Sequence, residues 1–504
     1  MGFLQTARDY LTGKHRWGVH PDDHKRPASE VPSRIVAPPA RVFIPLTQHV
    51  GSPAQPSVLV GQKVRLGQPI AAALGNISAP IHASVGGTVT AIGEVAAPHV
   101  SGLPVPAITI ETGDDQSWFA DDIPGDPYAL APDEISRRVA AAGVVGLGGA
   151  TFPSAIKLNL GRRSTIDTLI VNGSECEPYL SCDDRLMRDE AAAIVSGIRL
   201  MLTATGAPRA LVGIEDNKPE AIAAMRDAVE GYGEIRICPV PARYPMGSDR
   251  QLIVELTGRE VPSDSRAADV GVLVHNVATA HAVHQAVCLG RPLVRRLLTL
   301  NGGACTAPGN YQVPVGMLID DLIAATGGIR ENFAYAVMGG PMMGIRLPHL
   351  KIPVIKGSSG ILLLDQAETR ESEPQACIRC SSCVKACPMG LLPLEMALNI
   401  RAEQFDQAAG LGLSDCIVCG CCAYVCPSRI PLVQYFQHAK GSLAAREREK
   451  LRNAATAKLA NARQERQARE TREKAEAAAR RKAEREAAAQ KAAAAAAVNA
   501  GDAG

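Results

Sequence analysis

The chain has 504 residues, of which 46% are hydrophobic, 21% charged and 4% aromatic. At roughly 150 residues per domain, this length predicts about three or four folded units, and the hydrophobic fraction excludes a wholly disordered chain. The formal net charge is +2, but residues 446–491 hold 15 Lys and Arg against 8 Asp and Glu, so a basic tail follows a mildly acidic body. No apolar run reaches the ~18 residues of a membrane-spanning helix, so we expect a chain that does not itself cross a membrane.

The first predicted unit covers residues 1–130 and is rich in short strands. Valine-rich runs alternate with glycine turns between residues 56 and 92, a pattern typical of strands joined by tight turns. The layout resembles the barrel-sandwich fold of biotinyl and lipoyl carrier domains. Those domains carry their cofactor on a lysine, and no lysine lies between Lys63 and Lys157, so we predict a structural role.

Residues 131–290 form the second predicted unit, in which strand-like runs alternate with helical ones. Residues 168–171 (TLIV) form a strand-like run, while 190–203 and 218–230 have helical patterns. This alternation predicts an α/β domain.

Three further units follow. Residues 291–360 contain short β-branched runs and a Pro-Gly-Asn turn, and this unit resembles the β-grasp module found after flavin domains in certain dehydrogenases. The cysteine-rich unit is assigned to 361–440, and residues 441–504 form a tail of Ala, Glu, Arg and Lys with too few aliphatic residues for a coiled-coil seam. We therefore predict a multidomain α/β protein with a helical iron–sulfur domain and a solvated, protruding tail helix.

Eight of the 14 cysteines occur in two copies of the spacing C-x2-C-x2-C-x3-C-P, which is the bacterial dicluster ferredoxin pattern. In this pattern the fourth cysteine of each copy binds the cluster of the other copy. We predict two [4Fe–4S] clusters with crossed ligation. The first is assigned to Cys377, Cys380, Cys383 and Cys426, and the second to Cys387, Cys416, Cys419 and Cys422.

The alternative of two zinc sites is disfavoured, because zinc commonly takes its cysteines as two separated pairs and not as runs of four closed by proline. Iron–sulfur ligation also indicates a reducing, cytosolic setting. Residues 391–407 are predicted to form one helix, as in the helical type of dicluster ferredoxin. Cys421 lies inside the second motif but outside its spacing, so it is interpreted as a bystander.

A glycine-rich loop, GLGGATFPSAIK, occupies residues 146–157. Such a loop, running into a helix, can present backbone N–H groups to a phosphate, although a plain tight turn is an alternative interpretation. Followed by NGSECEP at 172–178, the loop resembles the FMN- and NADH-binding subunit of respiratory NADH dehydrogenase. With the other units in this order, residues 16–439 resemble the RnfC/RsxC family, the C subunit of the ion-translocating Rnf/Rsx electron transport complex.

The resemblance implies a set of cofactor-binding residues. The predicted FMN contacts are Gly146, Gly148, Lys157, Asn172 and Glu175, and the predicted nicotinamide contacts are Phe152 and Glu177. Two further segments depart from the dehydrogenase pattern: Ser248 and Asp249 stand in place of two glutamates, and His275 stands in place of one of two paired asparagines, of which Asn276 is kept. We retain Asp249 and Asn276 as candidate cofactor-binding residues, and no side chain is assigned a role as a catalytic acid or base.

The resemblance also implies the activity. We expect electrons to pass reversibly from NADH to FMN, through the two clusters and on to partner subunits, within an NADH:ferredoxin oxidoreductase that translocates ions. We expect this chain to lie peripherally on the cytoplasmic face of the bacterial inner membrane and to reach ferredoxin or flavodoxin only through partner subunits.

Three other functions are considered. A relay or docking subunit that has lost nucleotide binding is favoured slightly by the altered Ser248-Asp249 segment. The flavin subunit of a soluble hydrogenase or formate dehydrogenase is disfavoured by the barrel-sandwich domain and the tail. Nucleic-acid binding is excluded, because the basic segment 446–491 contains no aromatic residue and no recognisable motif.

Overall fold

A computed structural model describes residues 17–119, 123–162, 164–369 and 373–501. The chain folds into a barrel-sandwich unit, an α/β unit, a β-grasp unit and a helical cysteine-rich unit, in that order, followed by one long helix. This order confirms the predicted fold class.

The N-terminal unit is built from two antiparallel sheets around one apolar core. Its sheets have the orders β2-β8-β7-β4 and β3-β5-β6, and Val42, Ile70 and Ile108 lie fully buried among their apolar neighbours. The short first strand of the chain joins another sheet, described below. The strands are β1 (Arg34–Ile35), β2 (Arg41–Pro45), β3 (Gln55–Pro56), β4 (Lys63–Val64), β5 (Pro69–Ala72), β6 (Ile81–His82), β7 (Gly87–Ala96) and β8 (Pro104–Thr112).

The α/β unit contains a parallel four-stranded sheet of order β11-β10-β9-β12. Its strands are almost continuously apolar, because helices cover both faces of a parallel sheet. Asn172 at the end of β9 pairs in register with Asn276 at the end of β12. The elements are α1 (Pro132–Ala141), α2 (Ser154–Leu158), β9 (Thr168–Gly173), α3 (Cys182–Asp189), α4 (Ala191–Thr205), β10 (Ala210–Glu215), α5 (Pro219–Ala228), β11 (Ile235–Val240), α6 (Asp249–Thr257), β12 (Val272–Asn276) and α7 (Val277–Cys288).

The β-grasp unit contains a six-stranded mixed sheet of order β1-β14-β13-β17-β15-β16. Strand β1, which precedes the barrel-sandwich unit in the chain, pairs in parallel with β14. The N-terminal segment therefore crosses to a sheet formed some 280 residues later. The elements are β13 (Arg295–Asn301), β14 (Gly309–Pro314), α8 (Ile319–Ala325), β15 (Phe333–Met338), β16 (Ile345–Arg346) and β17 (Gly360–Asp365).

The first three units meet at the fully buried side chain of Lys356. Its Nζ donates to the carbonyl oxygens of Pro80 at 3.1 Å and Gly143 at 2.7 Å, and its backbone N–H donates to Gln48 Oε1 at 3.0 Å. Burial lowers the pKa of Lys356 to about 7. Because one side chain satisfies carbonyls from two other units, the three are joined by buried polar contacts as well as by apolar packing.

The cysteine-rich unit is helical, but the single helix predicted for residues 391–407 is wrong. The chain instead forms two helices, separated at Glu403, which has a left-handed φ of 57°. Ile400 and Phe405, on either side of the break, pack into the same core. The spacing of apolar residues that predicted one continuous helix therefore belongs to two short helices. The helices of this unit are α9 (Ser382–Ala386), α10 (Pro393–Arg401), α11 (Phe405–Gly410) and α12 (Cys421–Tyr424).

The last helix, α13 (Leu432–Gly501), confirms the predicted helical tail. Leu432, Phe436 and Ala439 in its first turns pack into the core of the cysteine-rich unit, whereas residues 446–495 are exposed. Ion pairs four residues apart, such as Arg472 with Glu476 and Arg480 with Glu484, support this exposed part. Across the described part of the chain, no helix has both the length and the apolar character needed to cross a bilayer.

Candidate functional site

The glycine-rich loop is held from two sides while its tip stays open. Leu147 N–H donates to the Thr279 hydroxyl at 2.9 Å, and buried Arg296 donates to the Leu147 carbonyl at 3.0 Å. Residues 148–150 are exposed. Gly149 has a φ of +107°, with nothing within 4 Å of where a Cβ would stand, so its backbone requires glycine and its surroundings are free for a ligand. This arrangement suits an anion bound by backbone N–H groups.

Gly146 and Phe152 close the base of this loop. Gly146 N–H donates to the Phe152 carbonyl at 2.8 Å, and the Phe152 side chain is half-buried. Gly148 faces Asn276, because a Cβ added to Gly148 would lie 3.2 Å from Asn276 Cβ. The structure thus brings the loop beside one of the two strand-end asparagines.

Asn172 and Asn276 lie at the carboxyl ends of adjacent parallel strands, the edge where open α/β sheets bind ligands. Asn172 donates to the Gly247 carbonyl at 2.8 Å. Asn276 donates to the buried carboxylate of Asp183 at 2.6 Å and caps α7 by accepting from Ala278 N–H. Both side chains are therefore held in place before any ligand binds.

Lys157 brings a positive charge to this edge. Its Nζ donates to the Val274 carbonyl at 3.2 Å. Burial lowers the pKa of Lys157, while the charge of Asp249 acts in the opposite direction. Burial, together with the charge of the same lysine, lowers the pKa of His275 to about 3 and keeps this imidazole neutral. A phosphate or an anionic ring at this edge would meet a cation and no competing imidazolium.

Glu175 is occupied by structural hydrogen bonds. Its two carboxylate oxygens accept the N–H groups of Asp183 and Asp184 at 2.7 and 3.1 Å, in the first turn of α3. Its carbonyl accepts from the buried ammonium of Lys25 at 2.9 Å. Glu175 therefore shapes the wall of the site, and its carboxylate is already satisfied there.

Glu177 is likewise used inside the protein. Its carboxylate accepts N–H groups from Met342 at 3.0 Å and Met343 at 2.8 Å, in the β-grasp loop GGPMMG. Burial raises the pKa of Glu177 to about 7. A Cβ on Gly340 would lie 2.2 Å from this carboxylate, so the loop and the glutamate fit closely. Glu177, which was predicted to contact the nicotinamide, thus links the α/β unit to the β-grasp unit.

The segment 244–251 connects the strand-end edge at Asn172 and Asn276, which is predicted to bind FMN and is called the flavin edge below, to the cysteine-rich unit. Gly247 accepts from Asn172 through its carbonyl and donates its N–H to Cys176 Sγ at 3.3 Å. Tyr244 donates its hydroxyl hydrogen to the Cys419 carbonyl at 2.6 Å, and Gln251 donates to the Pro388 carbonyl at 3.0 Å. The segment therefore contacts both cysteine loops of the predicted second cluster. Sequence reasoning did not identify Tyr244, because nothing local in Tyr-Pro-Met-Gly indicates a partner so distant in the chain.

The structure groups the four cysteines of the predicted second set around one cavity, and it groups three of the four predicted for the first set. Cys422 interacts electrostatically with Cys387, Cys416 and Cys419, and these four, with Cys421, line one cavity. Cys383 interacts with Cys380 and Cys426. Four thiolates around one cavity form a donor set that fits a cubane cluster.

The two predicted clusters differ in exposure. Cys377 and Cys380 are exposed, whereas Cys419 and Cys422 are buried. The second set lies against the flavin edge, and the first set faces solvent. This asymmetry gives the cysteine-rich unit one inner and one outer cluster position.

Models of known protein families match four segments of the chain. They are described as the RnfC barrel sandwich hybrid domain (residues 14–115), the Nuo51 FMN-binding domain (139–285), the SLBB domain (298–346) and the 4Fe-4S dicluster domain (376–430). The chain therefore contains an FMN-binding domain and a dicluster domain, which confirms the predicted FMN and [4Fe–4S] cofactors.

Curated relatives are named as the C subunit of an ion-translocating oxidoreductase complex. That of Rhodobacter capsulatus is 47% identical over 436 residues, which cover 86% of this chain and 84% of the relative. That of Pseudomonas aeruginosa is 44% identical, covering 82% and 53%, and that of Cronobacter sakazakii is 40% identical, covering 89% and 58%. The chain thus spans most of the first relative and little more than half of the other two.

Among solved structures, an NAD+-reducing [NiFe]-hydrogenase in its H2-reduced state aligns at 21% identity and a TM-score of 0.45, covering 63% of this chain and 62% of that chain. The air-oxidised state aligns at 22% identity and a TM-score of 0.42, covering 56% and 55%.

Proposed function

This chain belongs to the RnfC family, the C subunit of ion-translocating oxidoreductase complexes, and from that membership we propose that it is the subunit through which the complex exchanges electrons with NADH. A bound FMN would supply the conversion between a two-electron hydride from NADH and single electrons, and the [4Fe–4S] clusters would supply one-electron carriers. The complex is proposed to couple this transfer, between NADH and ferredoxin, to ion movement across the bacterial inner membrane.

One observation supports the proposal most strongly. Segment 244–251 binds the flavin edge through Gly247 and binds Cys419 through Tyr244. The strand-end edge proposed to bind the flavin and the cysteines proposed to bind the inner cluster thus contact the same short segment. If the flavin edge and the inner-cluster cysteines had unrelated functions, a single segment in contact with both would not be needed.

The chain's own residues have defined roles in this proposal. The exposed backbone at 148–150 and the ammonium of Lys157 bind the anionic end of the cofactor. Asn172 and Asn276 orient the ring, and Gly148 leaves room beside Asn276. Phe152, Asp249 and Glu177 remain candidate contacts for the nicotinamide nucleotide. No side chain needs to move a proton for hydride transfer, so positioning is the main contribution of the protein.

The subunit is proposed to dock peripherally, on the cytoplasmic face, to partner subunits that lead to ferredoxin or flavodoxin. The outer cluster, with exposed Cys377 and Cys380, is the position open to such a partner. The basic exposed helix could add electrostatic attraction to anionic lipid, at about 1 kcal/mol for each well-placed cation.

The alternative is a relay subunit that does not bind nucleotide. The engagement of the Glu177 carboxylate by Met342 and Met343 favours this alternative, because both oxygens of this candidate nicotinamide contact already accept hydrogen bonds within the protein. The two functions make different predictions about NADH alone.

The deciding experiment is anaerobic titration of the full chain, reconstituted with clusters and FMN, with NADH. Flavin absorbance and cluster EPR are recorded together. Bleaching of the flavin and appearance of a reduced [4Fe–4S] signal support the NADH-linked function. Clusters that are reduced by dithionite but not by NADH would support the relay subunit instead.

A further inference from the structure

Residues 17–30 precede the barrel-sandwich unit and contact the three other units, and we call this stretch the clasp. Gly18 N–H donates to the Ala386 carbonyl of the cysteine-rich unit at 3.0 Å. Val19 exchanges two backbone hydrogen bonds with Tyr244 of the α/β unit, at 2.9 and 3.0 Å. A Cβ on Gly18 would lie 2.4 Å from the Tyr244 carbonyl oxygen. The clasp therefore lies tightly against both units where they meet.

The clasp also binds the β-grasp unit. Asn301 donates to the His24 carbonyl at 3.0 Å, and Asn310 donates to the Ala28 carbonyl at 3.0 Å. One short stretch of chain is thus bound to the α/β unit, the β-grasp unit and the cysteine-rich unit.

Lys25 is the buried cation of the clasp. Its Nζ donates to the carbonyl oxygens of Glu175 at 2.9 Å, Glu177 at 3.0 Å and Leu180 at 2.6 Å, and only 7% of the residue is exposed. An ammonium has three N–H donors, so all of them are used on the loop 175–180. Lysine suits this place because the three acceptors surround one nitrogen atom, whereas the planar fork of an arginine spreads its donors over separate atoms.

The loop that Lys25 holds lies between the flavin edge and the inner cysteines. Cys176 Sγ accepts the Gly247 N–H at 3.3 Å, and the Gly247 carbonyl accepts from Asn172 of the flavin edge at 2.8 Å. Cys176 also packs in the apolar cluster that contains Cys419. A displacement of this loop would therefore disturb contacts to both sites at once.

We propose that Lys25 is a positioning residue for electron transfer between the flavin and the inner cluster, because its ammonium fixes the loop that lies between them and ties that loop to the clasp. In this step one electron leaves the reduced flavin and enters the oxidised inner cluster. A second electron follows once the first has passed on, and the protons of the flavin go to water. Lys25 contributes geometry alone, and a misplacement of about 1 Å can cost on the order of 100-fold in rate. The inference rests on the proposed function and adds what holds its two redox sites in place.

The test measures electron transfer from flavin to cluster without NADH, in the full chain reconstituted anaerobically with FMN and clusters. A pulse of blue light, with EDTA as the electron donor, reduces the bound flavin, and the loss of cluster absorbance then gives the transfer rate. The variant Lys25→Met keeps an unbranched side chain and removes the ammonium. Iron content and FMN fluorescence establish that both cofactors are still bound.

The matched control is Lys356→Met. It also removes a fully buried ammonium that joins units through carbonyl oxygens, but its acceptors, Pro80 and Gly143, belong neither to the loop 175–180 nor to the cysteine-rich unit. Lys25→Met is expected to slow the transfer on the order of tenfold, within the range that a small misplacement produces. Lys356→Met should transfer electrons at the parent rate, even where its thermal stability falls as much.

Lys25→Gln is measured alongside, so that the comparison holds if Lys25→Met does not retain both cofactors. Its shorter amide cannot donate to all three carbonyls, so its transfer should also be slower than that of the parent chain. A parent-like rate in a Lys25 variant that retains both cofactors would overturn the proposal, as would equal slowing in Lys356→Met, because Lys25 would then be a structural support only. Since light replaces NADH, a chain that NADH does not reduce contradicts the proposed function alone and leaves this test intact.

Discussion

Tyr244 of the α/β unit donates its hydroxyl hydrogen to the carbonyl oxygen of Cys419 at 2.6 Å, across a sequence separation of 175 residues. Tyr244 is buried, and its own carbonyl lies near the Cys421 sulfur. One tyrosine therefore contacts the loop of the inner cluster with both its side chain and its backbone. The contact fixes how the flavin edge faces that cluster.

Tyr244→Phe is expected to loosen this docking. The buried Cys419 carbonyl would lose its donor, at a cost of about 1–3 kcal/mol, and electron transfer from flavin to cluster should slow. Stopped-flow absorbance under anaerobic conditions separates flavin reduction from cluster reduction. Tyr424→Phe, which removes the hydroxyl of an exposed tyrosine in the same cysteine-rich unit, is the control. Equal cluster-reduction rates in both variants would contradict the prediction.

Crossed ligation can be tested with two double variants. Cys387→Ala with Cys416→Ala removes two ligands of the inner cluster, so half of the iron should be lost. Cys387→Ala with Cys383→Ala removes one ligand from each cluster, so both clusters should be lost or damaged. Iron analysis and EPR after anaerobic reconstitution measure this directly. If each motif bound its own cluster, the two results would be exchanged.

Gly149→Ala is expected to weaken FMN binding. A Cβ would meet no atom within 4 Å, so the only penalty is a backbone with φ of +107°, which side-chain-bearing residues rarely adopt. We expect a cost of order 1–3 kcal/mol, because the loop that presents its N–H groups must relax. Quenching of FMN fluorescence gives the dissociation constant. Gly93→Ala, whose Cβ also meets nothing and whose φ is not positive, should bind FMN like the parent chain.

Glu177 should make stability depend on pH. Its pKa is raised from 4.5 to about 7 in the folded chain, so the folded state binds the proton more tightly than the unfolded state. This contribution is fully present below pH 4.5 and is lost as the pH rises to about 7. Each unit of pKa shift corresponds to about 1.4 kcal/mol.

The variant Glu177→Gln removes the titration, so its thermal stability relative to the parent chain should rise between pH 5 and 7. Thermal unfolding at several pH values measures the difference. The exposed Glu395→Gln controls for the loss of one carboxylate. Parallel stability curves for the parent chain and Glu177→Gln would show that this carboxyl group does not titrate as described.

Local patterns in the sequence carried much of the architecture and the metal chemistry. The α/β character of residues 131–290 and the spacing of the eight cluster cysteines follow from periodicity and short spacings, which neighbouring residues encode directly, whereas the barrel-sandwich and β-grasp units were implied by resemblance. The open glycine loop is likewise a local feature, because Gly149 needs its own backbone conformation whatever surrounds it. The boundaries of the five predicted units and the roles of the residues predicted to contact the nicotinamide remain predictions.

Only the tertiary structure decided how these parts meet. Glu177 was predicted to face a nucleotide, yet its carboxylate binds a loop 165 residues later in the chain. Cys421 was interpreted as a bystander, yet folding places it in the cavity lined by the inner-set cysteines, with its sulfur 3.9 Å from the Tyr244 carbonyl oxygen. Buried polar groups must find partners, and the partners come from whichever distant segment the packing brings near. A single sequence without that packing does not specify which segment this will be.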